Sequence, residues 1–537
     1  MSGQIIPSKF ISLVPTNGNQ FTGTSGQKVI FELEPSLGYV KGRDSYLVLK
    51  VLNNDTTERQ RVGFNNLAGV DGIINRIDIY SLKTGQHLET LQNYNQWSSI
   101  ENQYFYDDKT NIQSLSGVGS DCFANDVTDA AGNVQPTGPL ANSVVDSVLS
   151  PIIGKNGAAD DQGKAVYNYR TFTTPLKAGI FRWWDDERLT PILQLLGLRI
   201  EITLESAANC LLHLEAVDSA GTTYGLFNPP NFDQADATTY GGVPIDATAN
   251  GDTTIKSTVV FNDAVKDCGF SIGNIISLRQ GDGHQYAQRT ISKIEELTGG
   301  DAGKVQITFT GGTIAGGPHT AGRVTLVNDT RSYKVAPEFR VLSVQPPMNM
   351  ASGIDYEFTS YDLYFDTLFA SQRKHQIDIP TVQTRALAIM TQFDDPNDAG
   401  RKDFNGGFTG QNPSQMNMDS VQYFIKGRLQ PVRAYDPRTK KEKIIAEHEL
   451  VKALTTINKE PQDLGQSDAR NLNNYTNTFV IARELARGNY FYDLSDAEPQ
   501  IRLGFSASRT NNLTCNTFVW SKKIVVADPQ QGIRVIL

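Results

Sequence analysis

Along most of the chain, apolar and polar side chains alternate with period two. In Arg199-Ile200-Glu201-Ile202-Thr203-Leu204 the residues Ile200, Ile202 and Leu204 share one face and the polar side chains take the other. Val305 to Phe309 and Arg323 to Val327 repeat this pattern. Other stretches are short continuous runs of β-formers: Val29-Ile30-Phe31, Tyr46-Leu47-Val48-Leu49 and Ile524-Val525-Val526. Short strands of both kinds, separated by clusters of Gly, Asn, Asp and Pro, predict an all-β protein of the sandwich or barrel class. Helical periodicity is confined to two places. Tyr94, Trp97, Ile100 and Tyr104 fall near one face of a helix expected over 93–104, and Leu450, Val451, Leu454 and Ile457 do so over 447–457.

The two predicted helices sit in similar surroundings. Before the first stand Ile77 to Tyr80, a turn at Lys83-Thr84-Gly85, and Leu88 to Leu91. Before the second stand Leu429 to Tyr435, a turn at Asp436-Pro437-Arg438, and an expected strand from Glu442 to Ile445. Downstream, Thr171-Phe172, Leu176 to Gly179, the aromatic–acidic run Phe181 to Asp185 and the strand Leu198 to Leu204 follow in order. Thr478-Phe479, Leu485 to Gly488, Tyr490 to Asp493 and Gln500 to Phe505 repeat that order. This is read as an internal duplication of one β-unit. The copies differ in decoration. The first carries a long Gly-, Asp-, Asn- and Ser-rich stretch between Tyr104 and Thr171, and it is interrupted at about 217–330 by a segment with strands of its own, such as Thr258 to Phe261. The chain returns with Pro337 to Val344, a strand expected to close the first barrel. The insert is expected to be a small folded β-domain that faces outward.

The duplicated order resembles the double jelly-roll major capsid proteins, most of all those of polinton-like viruses and virophages. The residues that carry the likeness are Gly85-Gln86-His87-Leu88-Glu89, the Tyr94/Trp97 helix, Pro175-Leu176 and the strand Leu198 to Leu204. It covers about 27–537 apart from the insert, which departs from the simplest family pattern. The resemblance implies two eight-stranded jelly rolls side by side, with a β-rich surface insertion in the first and short flanking helices. The expected division is an N-terminal segment 1–26, a first jelly roll 27–346 and a second jelly roll 347–537. It also implies a structural, non-enzymatic role: a homotrimeric, pseudo-hexagonal capsomer tiling an icosahedral shell. The expected partners are neighbouring capsomers and penton and minor capsid proteins, and the expected location is the virion, assembled inside the infected host cell. A receptor-binding or lectin-like β-protein is the alternative, and a jelly-roll glycosidase stands third.

Composition narrows the picture further. A length of 537 residues fits three or four ordinary domains or two barrels with insertions. Lys and Arg number 49 against 58 Asp and Glu, a net charge of −9, so bulk charge does not suit the chain for coating nucleic acid. The expected shell protein has no sequence-specific nucleic-acid contact. Cys122, Cys210, Cys268 and Cys515 stand far apart, without the spacing of a disulfide framework or a zinc site. Sequons at Asn54, Asn328, Asn474 and Asn512 are read as coincidence in an Asn- and Thr-rich chain. The start Met1 to Phe10 lacks the cationic and apolar regions of a signal peptide, and no apolar run reaches membrane-span length, so neither secretion nor membrane insertion is expected.

The candidate chemical motifs are weak, and no catalytic, cofactor or metal residue is assigned. Gly269-Phe270-Ser271-Ile272-Gly273 matches GxSxG, but Ile275 to Leu278 reads as a strand where a nucleophile elbow needs a helix. Gly299 to Lys304 looks like a phosphate loop, yet Thr298 and Val305 stand where Gly and Ser/Thr are required, so a hairpin turn is expected. The histidines at 87, 213, 284, 319, 375 and 448 form no metal-binding pair. Trp183-Trp184-Asp185-Asp186-Glu187-Arg188 could be a sugar platform or a glycosidase carboxylate pair. The alternative is a buried corner at the barrel end, one indole inward and the acids solvated or contacting a neighbour, and the counterpart Tyr490 to Asp493 supports it. Arg438 to Lys443 is expected to be a solvated basic turn.

Overall fold

The computed structural model describes residues 8–53 (except 25), 62–64, 68–104, 170–213 (except 186–187), 353–394, 416–457, 479–528 (except 487–489 and 510) and 532–536. It also describes 242–345 with short breaks, and a few short strands and turns elsewhere. Eight strands of the first barrel are β1 (Ser8–Leu13), β2 (Lys28–Leu33), β3 (Tyr46–Asn53), β4 (Ile74–Ser81), β5 (His87–Gln92), β6 (Arg170–Pro175), β7 (Leu198–Leu204) and β8 (Tyr333–Val344). They pair as two sheets, in the orders β1-β8-β3-β6 and β2-β7-β4-β5. The second barrel has β9 (Ile354–Leu368), β10 (Lys374–Asp378), β11 (Ala386–Asp394), β12 (Met418–Ile425), β13 (Arg428–Tyr435), β14 (Val480–Glu484), β15 (Gln500–Phe505) and β16 (Leu513–Asp528). Its sheets run β9-β16-β11-β14 and β10-β15-β12-β13. Adding eight to each label of the first barrel gives the second. Both are jelly rolls with the same strand order.

The alternation seen in the sequence sets the faces. In β7, Leu198, Ile200, Ile202 and Leu204 are buried in the first core while Arg199 and Thr203 look outward. The strand lies between β2 and β4, its Ile200 opposite Phe31 on one side and Ile79 on the other. The longest pair is β9 with β16, in unbroken antiparallel register from Ile354↔Ala527 to Leu368↔Leu513.

Helix α1 (Tyr94–Tyr104) links β5 to β6, and helix α2 (Lys440–Thr456) links β13 to β14 at the same topological position. Helix α1 matches the expectation, and Tyr94, Trp97 and Ile100 are all buried. Helix α2 is longer than expected and absorbs Glu442–Ile445, which reads as a strand in the sequence. The reason is the period of the apolar face: Ala446, Leu450, Ala453, Leu454 and Ile457 are buried at helical spacing, against β14 and β11. The hairpin ahead of α2 is therefore β12–β13, turning at Lys426 and Gly427, both with positive φ. The basic stretch 438–443 is also no solvated turn. Arg438 grips Asp436, Thr439 stands at the helix N-cap position with its hydroxyl donating to the Asp436 carbonyl, and Lys443 is buried with its Nζ 3.5 Å from Glu447.

The segment placed ahead of the first jelly roll also needs correcting. Ser8–Leu13 is that barrel's first strand and pairs with β8 along its length. Its outer edge position and mostly exposed side chains hide it from a search for apolar periodicity.

Between β7 and β8 lies a six-stranded sheet with its own core. In spatial order its strands are Val243–Ile245, Gly322–Leu326, Ile275–Arg279, Gln285–Glu296, Val305–Thr310 and Thr254–Lys256. A bridge between Ile245 and Ser257 joins the two ends of the sheet. Phe261, Phe270, Ile276, Leu278 and Ile307 are among the side chains filling a core separate from those of the jelly rolls. The β15–β16 connection spans only 506–512.

Candidate functional site at the seam between the barrels

The densest aromatic–acidic cluster of the sequence lies where the first barrel meets the second. The end of β5, helix α1 and the loop after β6 approach the edge strands β9 and β16. Trp97 lies 4.5 Å from Trp520, 5.5 Å from Phe518 and 5.8 Å from Tyr361, measured between ring centroids. Trp184 meets Trp520 edge-on at 4.8 Å and Tyr361 at 6.1 Å. All five rings are fully buried. Trp97 and Trp184 belong to the first barrel and the other three to the second, so one apolar core crosses the seam. Each such pair adds about 0.5–1.5 kcal/mol beyond its burial.

Buried carboxylates tie the polar edges of these rings together. Glu101, one turn after Trp97 on α1, accepts the indole N–H of Trp97 at 3.0 Å and of Trp184 at 3.2 Å, and also that of Trp183. Glu89 on β5 accepts the backbone N–H groups of Gly179 and Ile180, both at 2.9 Å, and the Ser360 hydroxyl of β9 at 2.6 Å. Loss of water on burial pushes its carboxyl above the usual range, while the Ser360 hydroxyl, the backbone donors and the Lys523 charge oppose that rise. Asp185 accepts from the Thr359 backbone N–H at 2.7 Å and hydroxyl at 2.8 Å, and from the Lys522 ammonium. In return, the Tyr356 hydroxyl donates to the Ile180 carbonyl at 2.7 Å, and the Tyr361 hydroxyl to the Gln92 carbonyl at 3.1 Å. The Arg182 guanidinium lies over the Tyr356 ring, 4.7 Å from its centroid.

Two local devices let the surfaces come this close. Gly179 faces the Thr359 backbone, and a Cβ there would sit 2.1 Å from that carbonyl oxygen. Behind the loop, the Lys177 ammonium is buried between Asp71 at 3.0 Å, Ser98 at 2.6 Å and Asn102 at 2.8 Å, which pins α1 to the barrel beneath it.

The structure places Trp184 inward and leaves Trp183 half-buried. Of the two settings open to Asp185, solvent or a neighbour, the structure gives the neighbour: this carboxylate is buried and engaged by the second barrel. Its partners are hydrogen-bond donors of the protein itself, which is the chemistry of a structural joint. Asp186 and Glu187 lie outside the described residues, and so do Ser271 to Gly273 of the GxSxG stretch. Phe270 of that stretch is buried in the insert, and Ile275–Arg279 follows as a strand. Gly299–Asp301 forms a short 3-10 turn between two paired strands, with Asp301 gripping Lys304 and Lys256. Among the described residues, no three His, Cys, Asp or Glu side chains are arranged to hold a metal ion. Glu89, Glu101 and Gly179 were not singled out as functional from the sequence. The one local signal is the i, i+4 spacing of Trp97 and Glu101.

No family model and no curated protein matches the chain. Among solved structures, it is similar to PBCV-1 VP54 fitted into a reconstruction of the virophage Sputnik, at 10% identity and TM-score 0.46, over 99% of this chain and 98% of that one. The Faustovirus major capsid protein aligns at 10% identity and TM-score 0.46, over 97% and 91% of the two chains. The mavirus major capsid protein aligns at 8% identity and TM-score 0.38, over 98% and 90%.

Proposed function

We propose that this chain is a structural protein of a virion, the major capsid protein of an icosahedral DNA virus, and not an enzyme. The observation that carries the reading is the repetition of one complete jelly-roll strand order within a single chain, fused through a buried seam. A shell needs rigid, repeated blocks with large side contacts, and two like barrels in one chain let three copies approximate a hexagonal outline. Rigidity comes from the shared aromatic core and the carboxylates that cross the seam. A receptor-binding or lectin-like protein has no need of two like barrels joined in this way.

In this reading the chain divides into a first jelly roll that begins at β1 and runs to about 346, and a second from 347 to 537. The insert at about 217–330 stands on the outer surface of the first. Three copies form the capsomer, which contacts neighbouring capsomers and penton and minor capsid proteins. Protein mass spectrometry of purified icosahedral particles tests the assignment. The chain is expected to be the most abundant component; its absence from the shell, or presence at a few copies per particle, overturns the proposal.

A further inference from the structure

The polar cluster buried behind the seam holds more than an ion pair. Its three central side chains come from three separate elements. Asp71 belongs to the 3-10 turn Gly69–Ile73 ahead of β4, Asn102 to the last turn of α1, and Lys177 to the loop after β6. All three are shut away from water, at 1%, 7% and 4% exposure. The Lys177 Nζ lies 2.8 Å from the Asn102 amide oxygen and 3.0 Å from the Asp71 carboxylate. The Ser98 and Thr174 hydroxyls both donate to that carboxylate, Thr174 at 2.6 Å, and the Lys177 backbone N–H donates to the Tyr94 hydroxyl at 3.1 Å. The jelly roll itself does not demand this cluster. In the repeat of the same loop, Leu485 to Gly488, Ala486 stands where Lys177 does, and it is buried too.

A primary amine is thus set against a side-chain amide, with a carboxylate beside it to move protons and no water to compete. We infer that Lys177 and Asn102 join through an isopeptide bond, with Asp71 as the general base and acid. Asp71 takes a proton from the Lys177 ammonium across their 3.0 Å contact. The Asn102 carbonyl carbon lies one bond, about 1.2 Å, beyond the oxygen that Nζ already touches. A turn of the amide about χ2, a torsion with a broad minimum, presents that carbon to the Nζ lone pair. The Nζ–Cγ bond forms and the Cγ–Nδ2 bond breaks. Asp71 gives its proton to the leaving nitrogen, which departs as ammonia, and takes the second proton from Nζ. The exchange consumes no co-reactant, and it replaces a buried ion pair by neutral groups. The bond joins positions 75 apart and ties α1 to the loop that carries Trp184 and Asp185 into the seam. A covalent tie then backs the joint between the barrels.

The test is the mass of the folded full-length chain, purified, then denatured and digested with trypsin. The intact chain should be lighter than its sequence by one molecule of ammonia. The digest should hold a branched peptide that joins 84–109 to 171–182 and is uncut after Lys177. Lys177→Arg keeps the positive charge but brings no amine to attack with, so it should show neither the ammonia loss nor the branch. Asp71→Asn keeps the amine and the amide and should leave them unjoined. A wild-type chain of full mass, cut after Lys177 and with 84–109 free, would overturn the inference, and that reading depends on no variant folding. Loss of one water with Lys177 linked to Asp71 would overturn the assignment to Asn102. A branch that still forms in Asp71→Asn would overturn the role of that carboxylate.

Discussion

The two barrels present the same loop to different surroundings. After β6, a carboxylate and the Trp184 indole meet the neighbouring barrel and lose their water; after β14, a tyrosine and a carboxylate remain in solvent. Strand order cannot be the cause, because it is identical in both. The difference lies in what is tethered alongside. The second barrel follows the first in the chain, so its β9–β16 pair is available to seal the first joint. Burial there is supported by a donor for each carboxylate: Ser360 and two backbone N–H groups for Glu89, three indoles for Glu101, Thr359 and Lys522 for Asp185. Fusion supplies the partner at a high effective concentration, and the buried charges then fix the register of the two barrels.

The largest effect should come from the sealed side. Trp184→Ala removes a fully buried indole and should cost about 3–5 kcal/mol. Gly179→Ala forces a Cβ against the Thr359 carbonyl and should also open the seam. Tyr490→Ala on the open side should change the stability of a single copy by no more than about 0.5 kcal/mol. Denaturant unfolding at low protein concentration, followed by tryptophan fluorescence, compares them. Equal losses on the two sides would break the contrast.

Asp185→Asn comes next. A solvated acid would tolerate the change, but this buried carboxylate faces a backbone N–H, a hydroxyl and an ammonium group. An amide presents its own donors to some of them, so a loss of about 1–3 kcal/mol is expected. Asp493→Asn should be near neutral in a single copy. Parallel melting curves decide between these outcomes.

Glu89 supplies a smaller, pH-dependent term. Its folded carboxyl holds a proton to higher pH than the unfolded chain does. The folded state therefore binds more protons, and this group's contribution is greatest below the ordinary carboxyl range and falls as pH rises from there towards the folded value. Glu89→Gln should flatten that part of the stability profile. Melting temperatures measured across mildly acidic to neutral pH test this, and unchanged slopes would remove the burial argument for Glu89.

The least effect is expected from deleting 217–330 and joining the ends with a short linker. Its core is separate, and the second barrel makes the corresponding connection with a short loop. Circular dichroism and native mass should show folded, assembling protein; an unfolded product would place the insert in the barrel's core.

Much of this architecture could be read from local pattern. The alternation in β7, the return strand β8, the apolar face of α1 and the repeated order of elements all lie within short windows. The errors have equally local causes. Ile444-Ile445 is a β-branched pair that reads as strand until the spacing of Ala446, Leu450 and Leu454 is followed through. Strand β1 carries too few buried side chains to stand out. The seam was only half legible. Trp183 and Trp184 marked it, but the sequence leaves Asp185 open between solvent and a neighbour because its partner Thr359 lies 174 positions away, and Ser360 lies 271 positions from Glu89. Nothing near either acid in sequence announces a buried partner.

The central claim, a building block made to assemble through repeated barrel contacts, is met most directly by the native mass of the purified chain across a dilution series. The account predicts a species of three times the chain mass that persists on dilution and gives way to single copies without larger intermediates. A monomer at every concentration would contradict it.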